Sequence, residues 1–333
     1  MNVPVLRFSM FLSAVSTRAL SFSWLAAGKK ARQRKLVLLS LRSFAELRSY
    51  DEALEAERKK TRPRVLITWN VNSLRSLLTK EEKPLTGLLQ KFDPCILCMQ
   101  EVKLQKAAVR GAEDLLQRFE FHKFHLSTAR KGYSGVAVFS KESPNDCFTG
   151  FAPGISVPDD EGRLMTLVYN DFTLVNVYTP NAGVALQRLT YRTNVWDKAF
   201  IEHLKVLRSR YSQPLIVCGD LNVARTAIDL HDPINSERSA GFTIEERNDF
   251  ELLLSEIGLV DSFRALNGDA RGQYTYWSYR ARARERNKGW RIDYFLVDAS
   301  LAHTDAMECK ILGEIFGSDH APLMLTLPRD LSV

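Results

Sequence analysis

The stretch Pro214-Leu215-Ile216-Val217-Cys218-Gly219-Asp220-Leu221-Asn222 passes from an apolar run straight into a glycine, a carboxylate and a carboxamide. A short apolar run bounded by a turn signal reads as a buried strand. A polar group directly after such a strand stands where a sheet can fix a loop in one place. The same texture recurs from Val65 onward. Strands are expected over Val65–Trp69, Pro94–Met99, Gly135–Ser140, Leu164–Val168, Phe172–Tyr178, Pro214–Gly219, Ile292–Val297 and Leu323–Leu327. Helical periodicity lies between some of them, notably over Leu85–Phe92, Leu186–Arg208 and Thr243–Ile257. This alternation predicts a layered α/β fold with its chemistry gathered at strand ends.

Five segments carry that chemistry: Trp69-Asn70-Val71-Asn72, Gln100-Glu101, Gly219-Asp220-Leu221-Asn222, Asp293 in a strand, and Ser318-Asp319-His320. Together they supply hard oxygen ligands for one Mg²⁺, an acidic residue to activate water, and a His–carboxylate pair. That inventory suits hydrolysis of a phosphate diester, which needs a positioned nucleophile, a cation on the phosphate oxygens and donors for the growing charge. Taken singly, each segment has an ordinary explanation: Glu101 as a loop acid, Gly-Asp-Leu-Asn as a turn with an Asx cap, Asp-His as a surface pair. The order and spacing of all five make the set.

From about Val65 to Leu327 the chain resembles the exonuclease III type of AP endonuclease, within the endonuclease/exonuclease/phosphatase superfamily. The superfamily signals are Asn70, Gln100-Glu101, Gly219-Asp220-Leu221-Asn222 and Ser318-Asp319-His320. The narrower ones are Gly132-Tyr133-Ser134-Gly135-Val136, Tyr178-Thr179-Pro180-Asn181-Ala182-Gly183, Ala240-Gly241-Phe242-Thr243 with Glu246-Arg247, and Gly289-Trp290-Arg291-Ile292-Asp293-Tyr294. The resemblance implies a four-layer α/β sandwich, two mixed or mainly antiparallel sheets packed face to face and flanked by helices. It implies metal-dependent hydrolysis of the phosphodiester 5′ to an abasic site, leaving a 3′-hydroxyl and a 5′-deoxyribose phosphate, with minor 3′-phosphodiesterase or 3′-to-5′ exonuclease activity. Glu101 would bind Mg²⁺ (Mn²⁺ being the alternative), with Asn72 and Asp319 nearby or bound through water. Asp220 would orient and deprotonate the attacking water, helped by Asn222, and Asn70 would hold Asp220. His320, held by Asp293, would contact the scissile phosphate. The alternative, in which the His320–Asp293 pair is the general base, uses the same residues. Tyr178 and Asn181 would donate to the phosphate.

Substrate selection would come from Tyr276, Trp290 and Ile292, which match a small apolar pocket for a flipped-out sugar lacking its base. The run Arg280 to Arg291, with Arg280, Arg282, Arg284, Arg286, Lys288 and Arg291, is expected to contact phosphates. Arg75, Lys103 and Tyr133 match further backbone-contact positions. Three departures stand out. Asn72 and Ser73 occur where many eukaryotic relatives have Asp and Gly, which predicts altered metal binding and a different turn. Val184 lies where some relatives place an arginine that inserts into DNA. Ile67 stands where relatives with a redox role have a cysteine. Cys95 and Cys98 are expected to be buried in a strand rather than to hold zinc.

Composition bounds the rest. The chain has 333 residues, 45% of them hydrophobic, with five scattered cysteines that do not form a disulfide framework. Of 46 Lys+Arg and 39 Asp+Glu, residues 1–64 hold 14 and 5, leaving 32 and 34 for the remainder. The net charge of +7 therefore belongs to the N-terminal extension and says little about DNA binding by the body. Residues 1–62 are expected to be a basic extension, Arg- and Ser-rich with no acid before Glu46, and residues 63–333 the catalytic domain. The extension reads as an organelle transit peptide, mitochondrial, with plastid and nuclear signals as alternatives. The expected partner is double-stranded DNA containing abasic sites, acted on by a monomer with no membrane contact; other base-excision-repair proteins are further candidates. Three alternatives to the main reading are a 3′-end-processing exonuclease, a scaffold protein with lost catalysis, and a phosphodiesterase acting on something other than nucleic acid.

Overall fold

Strand β1 (Arg64–Asn70) sends Leu66 into the space between two sheets, and Ile67 and Trp69 toward helices on the other face. Both faces are buried, so the strand reads as a continuous apolar run instead of an alternating one. In this computed structural model, residues 63–105, 117–302, 307–329, Arg48 and Leu331 are described. The N-terminal extension, Arg48 apart, lies outside them, and the sheets and helices belong to the unit Arg62–Val333.

The first sheet has the order β11 (Glu308–Ile311), β12 (Leu323–Leu327), β1, β2 (Ile96–Gln100), β4 (Val136–Ser140), β3 (Phe121–His125). The second runs β5 (Asp146–Thr149), β6 (Leu164–Val168), β7 (Thr173–Tyr178), β8 (Leu215–Asp220), β10 (Asp293–Asp298), β9 (Leu259–Asp261). Each sheet contains one parallel pair, β1 with β2 and β7 with β8, and the other pairings are antiparallel. A parallel pair needs a crossover. Helices α1 (Leu74–Leu78) and α2 (Pro84–Phe92) provide the first. The second runs through Leu189–Tyr191, a π-helical Arg192–Asp197 and α3 (Lys198–Arg210).

Three apolar layers result. One fills the space between the sheets, one lies under α1 and α2, and one lies under α3 and α4 (Ile244–Ile257). This is a four-layer α/β sandwich. All eight expected strands form, shifted by at most two residues at either end. The helix expected over residues 186–208 begins at Leu189, and its first full turns are π-helical.

One polar layer crosses the space between the sheets. Gln100 Nε2 on β2 donates to Thr68 Oγ1 at 2.9 Å and to Asn176 Oδ1 on β7 at 2.6 Å. Asn176 Nδ2 returns bonds to the carbonyls of Met99 and Ala137. Buried amides left unpaired would be costly, so these bonds fix how the sheets face each other, with Gln100 Oε1 the one amide atom of the pair left without a partner.

Candidate active site

The parallel pairs put their C-terminal ends at the same edge of the sandwich. On the first sheet Asn70 stands beside Gln100, with Glu101 next; on the second Tyr178 stands beside Asp220, with Asp293 on the other side of it. Ser318-Asp319-His320 lies just ahead of β12, the antiparallel neighbour of β1. Gly219 makes the second half feasible: with φ near +135° it brings its Cα so close to β7 that an added Cβ would meet the Val177 carbonyl oxygen at 1.9 Å. Asn72, Glu101 and Asn222 each leave their strand with φ near +50°. Asparagine tolerates this conformation, whereas a glutamate held there stores strain of about 1–2 kcal/mol.

Asn70 Nδ2 donates to Glu101 Oε1 and to Asp220 Oδ2, both at 2.9 Å. Asp220 Oδ1 accepts from the Asn222 backbone N–H at 2.9 Å, and Asn222 Oδ1 accepts from Asn181 Nδ2 at 2.9 Å. His320 Nδ1 contacts Asp293 Oδ2 at 2.8 Å while its Nε2 lies 3.9 Å from Asp220 Oδ2. Burial alone would lower the pKa of His320, but the Asp293 charge and hydrogen bond override it and raise it to about 10. Asp220 goes up to about 7, through burial first and then the repulsion of Asp293. Burial also pushes Glu101 up, but Lys103 and the Asn70 bond outweigh it and hold Glu101 below its ordinary value. Tyr178, buried and beside Glu101, stays protonated well past its ordinary range.

Glu101, Asp220 and His320 bring one ligand atom each to within 4.8 Å of one another, a grouping that could hold a metal ion. The two carboxylates offer hard oxygens of the kind Mg²⁺ prefers. His320, engaged by Asp293 and inclined to stay protonated, is suited to donating and not to ligating. Asn72 and Asp319 sit at the rim, bonded to each other at 3.0 Å. Lys103, expected on the DNA backbone, reaches inward to Glu101 Oε2 at 2.6 Å and to the Asn72 side chain.

Beside His320 lies an apolar cluster. The Tyr276 ring is 4.9 Å from the imidazole, and Tyr276 and Trp290 pair by backbone and pack with Ile292. Ala224, Leu230 and Phe242 complete the cluster, with Phe242 edge-on to Trp290. Arg75 and Arg280 are exposed as expected, and so is Asn181. Tyr133 is half-buried, its hydroxyl accepting from Arg163 and Arg188. The basic run needs correction. Arg291 is fully buried and paired with Asp229 and Asp261, and Arg284 donates to the carbonyls of Gly313, Ile315 and Ser318. Arg291 is closed to solvent and Arg284 is engaged by those carbonyls; Arg280, Arg282, Arg286 and Lys288 remain exposed.

Two residues that sequence reasoning did not single out help build the site. Thr275 Oγ1 accepts from the backbone N–H groups of Ile292 and Asp293, each at 3.1 Å, and so fixes where Asp293 starts its strand. Arg163, fully buried, donates to the Tyr178 carbonyl at 3.0 Å with its guanidinium 4.4 Å from the Tyr178 ring centre. Nothing around Thr275 in the sequence marks it, and Arg163 is marked only by the adjacent Gly162.

Residues 67–320 match the Endonuclease/Exonuclease/phosphatase family. The chain belongs to that family. Within it, the chain is 41% identical over 262 residues to an exodeoxyribonuclease of Bacillus subtilis (strain 168), covering 79% of this chain and 98% of that protein. It is 41% identical over 259 residues to a DNA-(apurinic or apyrimidinic site) endonuclease of Dictyostelium discoideum, covering 78% of this chain and 69% of that one. The crystal structure of an AP endonuclease from Leishmania major superposes with a TM-score of 0.71 at 33% identity, over 80% of this chain and 88% of that chain. This member of the family is a DNA-repair nuclease of the AP endonuclease/exodeoxyribonuclease type, a phosphodiester hydrolase.

Proposed function

We propose that the protein hydrolyses the phosphodiester 5′ to abasic sites in duplex DNA, leaving a 3′-hydroxyl and a 5′-deoxyribose phosphate, with weaker activity on blocked or recessed 3′ ends. The observation that carries this reading is the position of the apolar Tyr276–Trp290–Ile292 cluster directly beside His320. A base-free deoxyribose fits an apolar wall of this kind, whereas a nucleotide brings a base that must be unstacked and has no polar partner there.

Glu101, with Asp220 beside it, would hold Mg²⁺, which when bound supplies positive charge to the phosphate oxygens. Asp220 takes the proton of the attacking water. Asn70 and the Asn222 N–H leave it a fixed orientation. His320 donates from Nε2 to the phosphate, and Asp293 keeps it charged. Tyr178 and Asn181 donate further hydrogen bonds to the phosphate oxygens.

Duplex DNA with one tetrahydrofuran abasic analogue tests this, because the analogue does not undergo β-elimination. Cutting to a 3′-hydroxyl with Mg²⁺, none with EDTA, and none by Asp220→Asn is expected. Degradation of recessed 3′ ends with the analogue strand intact would transfer the main activity to the exonuclease reading. We also propose that residues 1–62 direct the protein to mitochondria. A reporter carrying those residues that stays cytosolic or enters the nucleus overturns that proposal.

A further inference from the structure

Tyr276 and Trp277 point to opposite sides of one strip of chain. Tyr276 faces His320 and the apolar cluster, while Trp277, whose backbone N–H bonds the Asp319 carbonyl at 2.9 Å, faces a cleft of about 620 Å³. That cleft backs onto the active site through Ser318 and Asp319, which form part of its wall. Among the described residues, Tyr279 and Phe316 are the two most exposed large aromatics, 70% and 63% exposed, and both line it.

Neither ring is loose. The Tyr279 hydroxyl lies beside the Asn72 side chain and the Asp319 backbone. Phe316 lies against the Arg284 guanidinium, 4.5 Å from the ring centre, and that guanidinium also stacks 4.7 Å from Trp277. Arg284 further ties its own loop to the carbonyls of Gly313, Ile315 and Ser318. Two aromatic faces are thus held open to solvent by polar anchors behind them. Lys80 and Arg282 stand on the same wall, Arg282 with its side chain 79% exposed and only a long 3.7 Å contact to Glu285.

Fixed aromatic platforms beside cations are the chemistry that recognises an unpaired nucleotide, the base stacking and the phosphate pairing with Lys or Arg. We propose that this cleft binds one nucleotide, its base against Tyr279 and Phe316 and its phosphate at Lys80 and Arg282. The proposal rests on the DNA-hydrolysis reading above for the presence of DNA at the neighbouring site. It makes the protein favour abasic sites with unpaired nucleotides nearby, as in bubbles or frayed ends.

The test uses the full chain and fluorescence anisotropy in EDTA, so that nothing is cut. Two abasic-analogue duplexes are compared, one fully paired and one with a short unpaired run opposite the lesion. Preference for the unpaired duplex of about tenfold is expected, falling to about unity in Phe316→Ser and returning in Phe316→Trp. Cutting of the fully paired duplex with Mg²⁺ should stay within about twofold in Phe316→Ser, since Phe316 touches none of the groups at the scissile bond. Competition by dAMP against the unpaired duplex, lost in Phe316→Ser, would identify a free nucleotide as the occupant; no competition leaves a nucleotide within a strand. Equal binding of both duplexes by the unmodified protein without dAMP competition, or a preference unchanged in Phe316→Ser, overturns the proposal. Failure of the catalytic reading is separate: it is loss of Mg²⁺-dependent cutting of the paired duplex, whatever the binding ratio.

Discussion

Asn70, at the end of β1, hydrogen-bonds Asp220, at the end of β8, across the two sheets at 2.9 Å. The same amide nitrogen reaches Glu101 at 2.9 Å, so one neutral side chain separates the buried Asp220 carboxylate from the half-buried Glu101 one and orients both. Replacing Asn70 with alanine should therefore slow single-turnover cutting of abasic duplex by about 100-fold while leaving substrate binding nearly intact. A rate within about threefold of the unmodified protein would remove Asn70 from the site's working parts.

Metal dependence should follow Glu101. Glu101→Gln keeps the shape but removes the charge that Lys103 and Asn70 hold in place. The Mg²⁺ concentration for half-maximal rate should rise by about tenfold or more. An unchanged Mg²⁺ titration would point to a metal held elsewhere.

Phe242 packs in the apolar cluster, edge-on to Trp290 and under Arg247, whose guanidinium is 4.4 Å from the ring centre. The loop that carries it is fixed by Glu246, whose Oε2 accepts from the N–H groups of Gly241 and Thr243. Phe242→Leu should open space in the cluster and raise removal of intact 3′ nucleotides relative to abasic cutting by about tenfold. A gain of this kind does not arise from partial unfolding. An unchanged ratio would remove Phe242 from substrate selectivity.

Ser73 adopts φ near 125° and ψ near 106°, a region that suits glycine. Its hydroxyl caps the first turn of α1 by accepting from Ser76 N–H at 3.2 Å, a modest compensation. Ser73→Gly should relieve strain that exceeds the lost cap and stabilise the fold by about 1 kcal/mol. Chemical denaturation checks this, and an equal or lower midpoint would mean that the turn is not strained.

His203 gives a pH prediction away from the site. Its Nδ1 accepts the Ala152 N–H at 2.9 Å, so the proton sits on Nε2, which donates to Thr166 Oγ1 at 3.2 Å. Burial pulls its pKa from 6.5 to about 4. Between those values the unfolded chain binds the proton and the folded one does not, so this contribution to stability is intact above pH 6.5 and declines as pH falls toward 4. The slope should be about 1.4 kcal/mol per pH unit over that window. His203→Gln should flatten it, and an unchanged slope would mean that other groups set the acid limit.

Much of the architecture was legible in the chain. The eight strands predicted are those buried on both faces, and each announces itself as an apolar run. The four that were not predicted, β3, β5, β9 and β11, are the four outer strands of the two sheets. An outer strand has one paired neighbour and a partly wet surface, so Phe121–His125 and Asp146–Thr149 carry polar residues that hide them. Site residues beside a strand end were found for the opposite reason, because polarity there interrupts an apolar run. Arg284 and Arg291 misled because a basic run looks the same whether its guanidiniums face water or buried carbonyls and carboxylates. Thr275 escaped because its role rests on contacts from residues 17 and 18 positions away.

The bond between Gln100 and Asn176 has a consequence for how the enzyme can fail. Half of the catalytic set is mounted on each sheet, so activity depends on the two slabs meeting in one alignment, as the faces of a lock do. That alignment is gauged deep inside the sandwich, by amides that meet no substrate. Damage there leaves every catalytic group present and correctly made, yet the two half-sites no longer meet.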